Sequence, residues 1–507
     1  MMHRKQTCAA VWALLALMLP LLSGCAQMVQ ERPLEDLSNY VVEPGTQAPA
    51  EDGYVERTQD VTLYFISAQG DRLVPVTREV TMHDGMSRAQ AALEALTGGP
   101  LEGETDAVWP DAGGAVGVRS LELSGGVATV SLPSRYRVLD PETLYAVRLA
   151  VAGTLCELPE ISYVNVLVGG REEGLDLGAT MPVGTLSRLE DLDVQARYAR
   201  VDDQRQSDTG FTCLTTLYFP TQDGTMLLPM VRSVAYAQAS PVDYLYTLLS
   251  ELGKGTNHEL TMQNTPAPMD YIEEMPEIVR PEDGANRAIE IRFSRELLEA
   301  LESAGLKLDI YLAMLTDTLM GFVPGVEGLQ VYLGGERIDG LEAEDTTNGE
   351  AVTFAQALIT RDAFDGCIGA PATLYAESAQ AGKLVRVQCV LPQARQGEPG
   401  KALEELISLS GKGYVALPSG LGAQDILAVR VEEENVVVHL SSAFAEALQS
   451  LTARQARVAV YAMVNTLTEG RDQQGVIFFF DGEQIGELAG GLNLRGRLLR
   501  NPGMVVD

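Results

Sequence analysis

The chain has 507 residues, 46% of them hydrophobic and 21% charged, with 70 acidic side chains against 37 basic ones. That composition suits packed domains and excludes a disordered polymer. The net charge of −33 leaves no basic footprint for nucleic acid, so no nucleic-acid partner is expected, and it disfavours a body lying flat on anionic lipid.

Residues 1–24 read as a targeting segment. Arg4 and Lys5 precede an apolar run from Cys8 to Leu22, the length of a signal-peptide core and short for a stable membrane span. The run stops at Leu22-Ser23-Gly24-Cys25, which resembles the lipobox of bacterial lipoproteins. The resemblance implies acylation of Cys25 and an extracytoplasmic protein held at the cell membrane by its lipid. Residues 25–57 carry Pro, Gly, Gln and acidic residues without an apolar period and read as a tether.

The rest is one pattern written three times. Thr62-Leu63-Tyr64-Phe65, Thr216-Leu217-Tyr218-Phe219 and Thr373-Leu374-Tyr375-Ala376 each open an apolar run. A turn follows in each, then a second run from Leu73, Leu227 or Leu384, which together predict a hairpin. Pro75 and Pro229 share one place in the second run, with Arg386 in the third copy, which marks an edge strand. Next comes a helix from Ser87, a plausible N-cap, to Leu96, matched by VDYLYTLLSELGKG and KALEELISLSGKG. Two further strands follow, though in the second copy a polar insertion at about 257–287 obscures the first of them. A second helix then ends near Thr154, Thr318 or Thr466, and a last strand precedes a tail closing on Arg188, Arg361 or Arg500. The pattern predicts modules at 58–188, 211–361 and 369–500, linkers at 189–210 and 362–368, and a tail at 501–507. Each is α+β, an antiparallel sheet with both helices on one face.

The helix end AALEALTGGP, the run LPSG from Leu417, the stretch VVVHLSSAF and the pattern NTL…VIFFFDGEQ resemble the GerMN domain family of bacterial sporulation and germination lipoproteins. With VATVSLPSRY and VNVLVGG in the first copy, the resemblance spans about residues 58–500. It implies three tandem modules with a fold like ring-building motifs, a role in spore formation or germination, and envelope or sporulation proteins as partners, with self-association among the options.

No catalytic constellation, metal site or cofactor motif emerges. His83, His258 and His439 lack partners at metal-ligand spacing, and His439 aligns with Ser131 and Arg292, which reads as a solvent-facing strand position. No G-x-S-x-G or S-x-x-K motif supplies a nucleophile. The Gly-Lys-Gly triplets at 253–255 and 411–413 end helices, whereas phosphate sites sit at helix starts. The repeated threonines read as local helix-end hydrogen bonders and the closing arginines as solvated ends. Cys156, Cys213, Cys367 and Cys389 occupy no repeated positions and read as buried thiols, with Cys367 and Cys389 the best alternative pair.

The favoured function is a non-catalytic envelope scaffold that docks protein partners; the candidate docking strand is the edge at Leu384, Val385, Arg386 and Val387, where the blocking proline is missing. The alternative is a solute- or peptidoglycan-binding lipoprotein, which needs a concave, aromatic-lined site. A carboxylate-pair hydrolase ranks third.

Overall fold

The computed structural model describes residues 57–506, apart from 83–85, 105, 115–116, 176–180, 207–209, 281–286, 379–381, 393–398, 410–413, 415–416, 433–434 and 470–474. Cys25, the targeting segment, the tether and His83 lie outside the described residues.

The first unit contains β1 (Arg57–Ser67), β2 (Leu73–Met82), α1 (Arg88–Thr97), β3 (Ala107–Val108), β4 (Ser120–Ser124), β5 (Val127–Leu132), α2 (Pro141–Leu155), β6 (Tyr163–Val168), β7 (Thr185–Ser187) and α3 (Val194–Gln206). The second has β8 (Phe211–Pro220), β9 (Leu227–Tyr236), α4 (Pro241–Gly253), β10 (Ile272–Val279), β11 (Ala288–Phe293), α5 (Glu296–Ala304), α6 (Leu308–Met320) and β12 (Gly328–Leu333). It continues with the short strands β13 (Glu336–Arg337), β14 (Gly340–Leu341) and β15 (Val352–Thr353). The third has β16 (Gly369–Glu377), β17 (Leu384–Pro392), α7 (Pro399–Ser408), β18 (Ile426–Glu432), β19 (Asn435–Leu440), α8 (Ser442–Gln449), α9 (Ala453–Leu467) and β20 (Gly475–Phe480), then β21 (Glu487–Leu488), β22 (Leu492–Asn493) and β23 (Leu498–Leu499).

The fold is α+β. Each unit opens with an antiparallel hairpin whose turn holds a left-handed glycine, Gly70, Gly224 or Gly382. Ser87 caps α1 by accepting the N–H of Gln90, and Asp140 caps α2 with Pro141 in its first turn. Behind the helices lies a four-stranded sheet, in order β4-β5-β6-β7, β10-β11-β12-β13 or β18-β19-β20-β23.

These sheets are not wholly antiparallel, as the sequence suggested. The central pairs β5–β6, β11–β12 and β19–β20 are parallel. A helix crosses between the two strands and returns the chain to the same end, which enforces parallel pairing. The insertion in the second unit is not a detour, because β10 lies inside it and pairs with β11. Its mostly exposed side chains gave no apolar alternation. The stretch 189–210, read as a linker, carries α3, which docks through buried Val194 and through Tyr198 against Tyr145. VVVHLSSAF is a strand leading into α8, with Ser441 as its cap.

The first two units share one continuous apolar core, from Val61 to Ile368, while the third has its own, from Leu374 to Met504. A three-residue cluster, Val437, Ile477 and Phe479, lies on the other side of the third sheet. His439 stacks on Phe479 at 5.0 Å in this cluster. It is therefore not a solvent-facing position, and burial lowers its pKa to about 4.

Candidate functional site

The repeated residues converge on one arrangement. In each hairpin the turn closes on a hydrogen bond: Ser67 N to Arg72 O, Thr221 N to Met226 O, and Ser378 N to Lys383 O. Antiparallel pairs alternate, so counting from that closure makes Tyr64–Pro75, Tyr218–Pro229 and Tyr375–Arg386 pairs that exchange no ladder bonds. Each tyrosine N–H therefore points off the inner edge of its hairpin. There the threonine at the end of the second helix accepts it: Thr154 Oγ1 at 2.9 Å, Thr318 Oγ1 at 3.1 Å and Thr466 Oγ1 at 3.0 Å.

The threonines are thus not local helix-end bonders. They take the place of a third strand at that point of the hairpin edge, which in the first unit pairs with β3 only further on, at Ile66 and Ser67, and they do so at sequence separations of 90, 100 and 91 residues. The prolines fit the same geometry, since position 75 or 229 faces outward and needs no donor.

On that outer side the chain leaving each unit ties down the start of the second hairpin strand. Leu73 N donates to Leu192 O, Leu227 N donates to Cys367 O, and Val506 N donates to Leu384 O, each at 2.8 Å. Leu384 and Val387 bury their side chains, Val385 is half-buried and Arg386 is exposed. Beyond Leu384 no strand pairs with the outer side of β17 among the described residues.

The closing arginines complete the arrangement. Tyr64 Oη donates to Glu157 at 2.9 Å, and Arg188 reaches the same carboxylate at 3.0 Å. Burial beside Glu157 pushes the Tyr64 phenol up to about 12. Tyr375, Glu469 and Arg500 repeat this, with Arg500 5.3 Å from the Tyr375 ring. The arginines are therefore partners of a repeated Tyr–Glu pair in units one and three, although Arg188 itself is 71% exposed.

Unit two departs from the pattern. Gly321 stands at the place of Glu157 and Glu469, and a Cβ there would lie 3.5 Å from Asn165 Nδ2 of the first unit. Without the glutamate, the hydroxyl of Tyr218 bonds Thr129 on β5 at 3.1 Å. Arg361 lies 5.4 Å from the Tyr218 ring, 3.3 Å from Asp317 and 3.0 Å from Glu122 on β4. It is buried, which corrects its reading as a solvated end. Thr185 bonds Thr216 at 2.7 Å, and Glu172 exchanges backbone bonds with Met320 and Gly325. The sheet face of the first unit is thereby docked on the hairpin and helix ends of the second. Burial holds the Asp317 carboxyl at about 7, against the pull of Arg361.

Sequence reasoning missed Arg78 and Arg232. They lie against Phe65 and Phe219, and their guanidinium groups meet one carbonyl in the last turn of the first helix and one just past its end: Ala95 and Gly99 for Arg78, Glu251 and Gly255 for Arg232. Their matched places in the repeat were the available signal. Gly253 ends α4 and Gly255 is left-handed, as a helix stop requires, while 411–413 lies outside the described residues. Cys156, Cys213, Cys367 and Cys389 are not joined in disulfides, and burial raises the pKa of the first three. Among the described residues no His, Cys, Asp and Glu group is arranged to hold a metal ion, and no helix is long and apolar enough to cross a membrane.

The family model described as "Germane: Sporulation and spore germination" matches residues 62–174 and 373–486, the bodies of the first and third units. Among solved structures, the chain is similar to the tandem GerMN domains of the sporulation protein GerM from Bacillus subtilis. Identity is 19% over 60% of this chain and 99% of that one, with a TM-score of 0.22. The first GerMN domain of the same protein is 25% identical over 27% of this chain and 97% of that one, with a TM-score of 0.19. No curated protein matches. The first and third units thus match the Germane, GerMN-type, family of sporulation and spore germination.

Proposed function

We propose that this protein is a non-catalytic scaffold of the cell envelope, tethered outside the cytoplasmic membrane by a lipid on Cys25 and built from three GerMN-type modules that dock protein partners in spore formation or germination. The observation that carries the reading is the joint between the first two units. There one module's sheet face takes another module's hairpin face through Thr129–Tyr218, Thr185–Thr216 and Glu122–Arg361. A module that docks a module inside the chain is suited to docking a related surface outside it. The same element order in the second unit supports counting it as a third copy.

Two surfaces remain for partners. One is the sheet face of the second unit, where half-buried Arg292 lies 4.1 Å from the ring of Tyr332 beside Glu290. The other is the outer edge of β17 past Leu384, suited to strand addition. Two docking surfaces on one anchored chain raise avidity, because the second contact forms at the effective concentration set by the first.

Arg386→Pro tests the edge. It installs the residue that the first two units already carry at that place, so the hairpin tolerates it, and it removes the outward N–H. Arg386→Ala keeps that N–H and controls for the side chain. Partner co-purification from sporulating cells falls with proline and survives alanine if the edge docks a strand. Equal loss, or none, excludes strand addition. Turnover of cell-wall material by the purified chain excludes the scaffold.

A further inference from the structure

A cleft of about 530 Å³ opens beside the hairpin turn of the first unit, within the size range of small-ligand sites. Its walls come from three places: the turn at Gln69, the segment Trp109-Pro110, and the helix ends carrying Asp140, Thr143 and Gln195. Trp109 is one of two tryptophans in the chain, the other being Trp12 in the targeting segment. Its Nε1 donates to Tyr136 Oη at 3.0 Å, and that buried partner holds the half-buried indole in place at the cleft.

Two amides, Gln69 and Gln195, and two carboxylates, Asp140 and Glu142, line the cleft with the indole. No lysine or arginine lines the cleft, which excludes an anion as its natural occupant. Gln69 and Gln195 are exposed, come from different elements, and hold no side-chain hydrogen bond among the described residues. Each amide both donates and accepts. Asp140 accepts the N–H of Thr143 at 3.0 Å as the cap of α2, and the first-turn groups of Thr143 and Glu142 hold its carboxylate ionised, an acceptor at the cleft wall. A flat apolar platform flanked by two unspent amides and two carboxylate acceptors, with no cation, matches a ligand with an apolar ring face and a belt of hydroxyl donors.

We propose that this cleft is a saccharide-binding subsite, in which one sugar ring of a neutral glycan stacks on Trp109 while Gln69, Gln195 and Asp140 pair its hydroxyl or acetamido groups. The site would give the first unit a hold on glycan that is separate from the protein-docking surfaces, and it does not rest on them.

The test uses the full chain carrying Trp12→Phe, so that all indole emission comes from Trp109. It is titrated separately with the tetrasaccharide of N-acetylglucosamine, with cellotetraose and with spermidine. A saturable change in emission with either sugar, half-complete on the order of 1 mM, supports the proposal. Response to the acetamido sugar alone identifies wall-type glycan, and response to both identifies a general glycan site. Adding Gln69→Ala and Gln195→Ala, which leaves the indole and its Tyr136 bond untouched, raises the half-saturation at least tenfold. No sugar response up to about 10 mM, a response unchanged by the double substitution, or a response to spermidine alone overturns it.

Discussion

Replacing Thr318 with valine tests the repeated threonine clamp. Thr318 is fully buried, and its Oγ1 accepts the N–H of Tyr218 at 3.1 Å. Tyr218 is itself 1% exposed, so no water can take over the bond. Valine keeps the shape and creates no cavity, and the lost acceptor leaves a buried backbone donor unsatisfied, which costs about 1–3 kcal/mol. At Thr154 the partner Tyr64 is only half-buried, so valine there costs less, about 0.5–1.5 kcal/mol. The assay is urea unfolding followed by circular dichroism. Because the first two units share a core and the third has its own, two transitions are expected. Thr318→Val lowers the midpoint of one, and Thr466→Val lowers the other, through loss of the bond to Tyr375. Losses below about 0.5 kcal/mol at Thr318, the range of ordinary surface changes, or both variants weakening the same transition, would refute the clamp.

One group shifted by burial contributes to each transition, and the two contributions have opposite pH sign. Burial raises the folded pKa of Asp317 to about 7, among Arg361, Glu122, Asp365 and Tyr218. The unfolded chain loses that proton first, so this group's contribution falls as pH rises from about 4 to about 7, and Asp317→Asn flattens that slope. Burial lowers His439 to about 4, so its contribution is present above the unfolded value near 6.5 and is lost as pH falls toward 4. His439→Phe removes that loss from the third unit's transition. Gly321→Glu puts a Cβ 2.7 Å from Asp317 O and a longer side chain into the contact with Asn165 of the first unit, which strains the helix end and weakens the joint between units one and two, read as an earlier proteolytic cut between them. Cys25→Ser abolishes incorporation of an alkyne fatty acid in growing cells, and equal labelling of the variant would exclude the lipid anchor.

Much of the fold was legible because each hairpin carries its own turn glycine and the first helix begins at the cap, Ser87, that its sequence offers. Tyr64, Tyr218 and Tyr375 were visible as a repeated motif, and so were Thr154, Thr318 and Thr466. That they touch was not visible, because the bond closes a loop of some ninety residues and leaves no local pattern. The strand β10 was hidden for a different reason: only Pro276 among its eight residues is fully buried, so hydrophobic alternation never forms. The α3 segment is polar, and its docking rests on Val194 and Tyr198 against a surface built elsewhere in the chain. The docking of the first unit on the second could have been suspected from Gly321, the one departure from a glutamate that both sibling units keep.

The scaffold reading meets its most direct test in cells. A photo-crosslinking amino acid is placed at Gln388 on the β17 edge, at Tyr332 on the second sheet face, and at the exposed control Leu101. The account predicts discrete protein adducts from Gln388 or Tyr332 and none from Leu101, with the Gln388 adduct lost on adding Arg386→Pro. Adducts of equal yield at all three positions, or none at either face in sporulating cells, would contradict it.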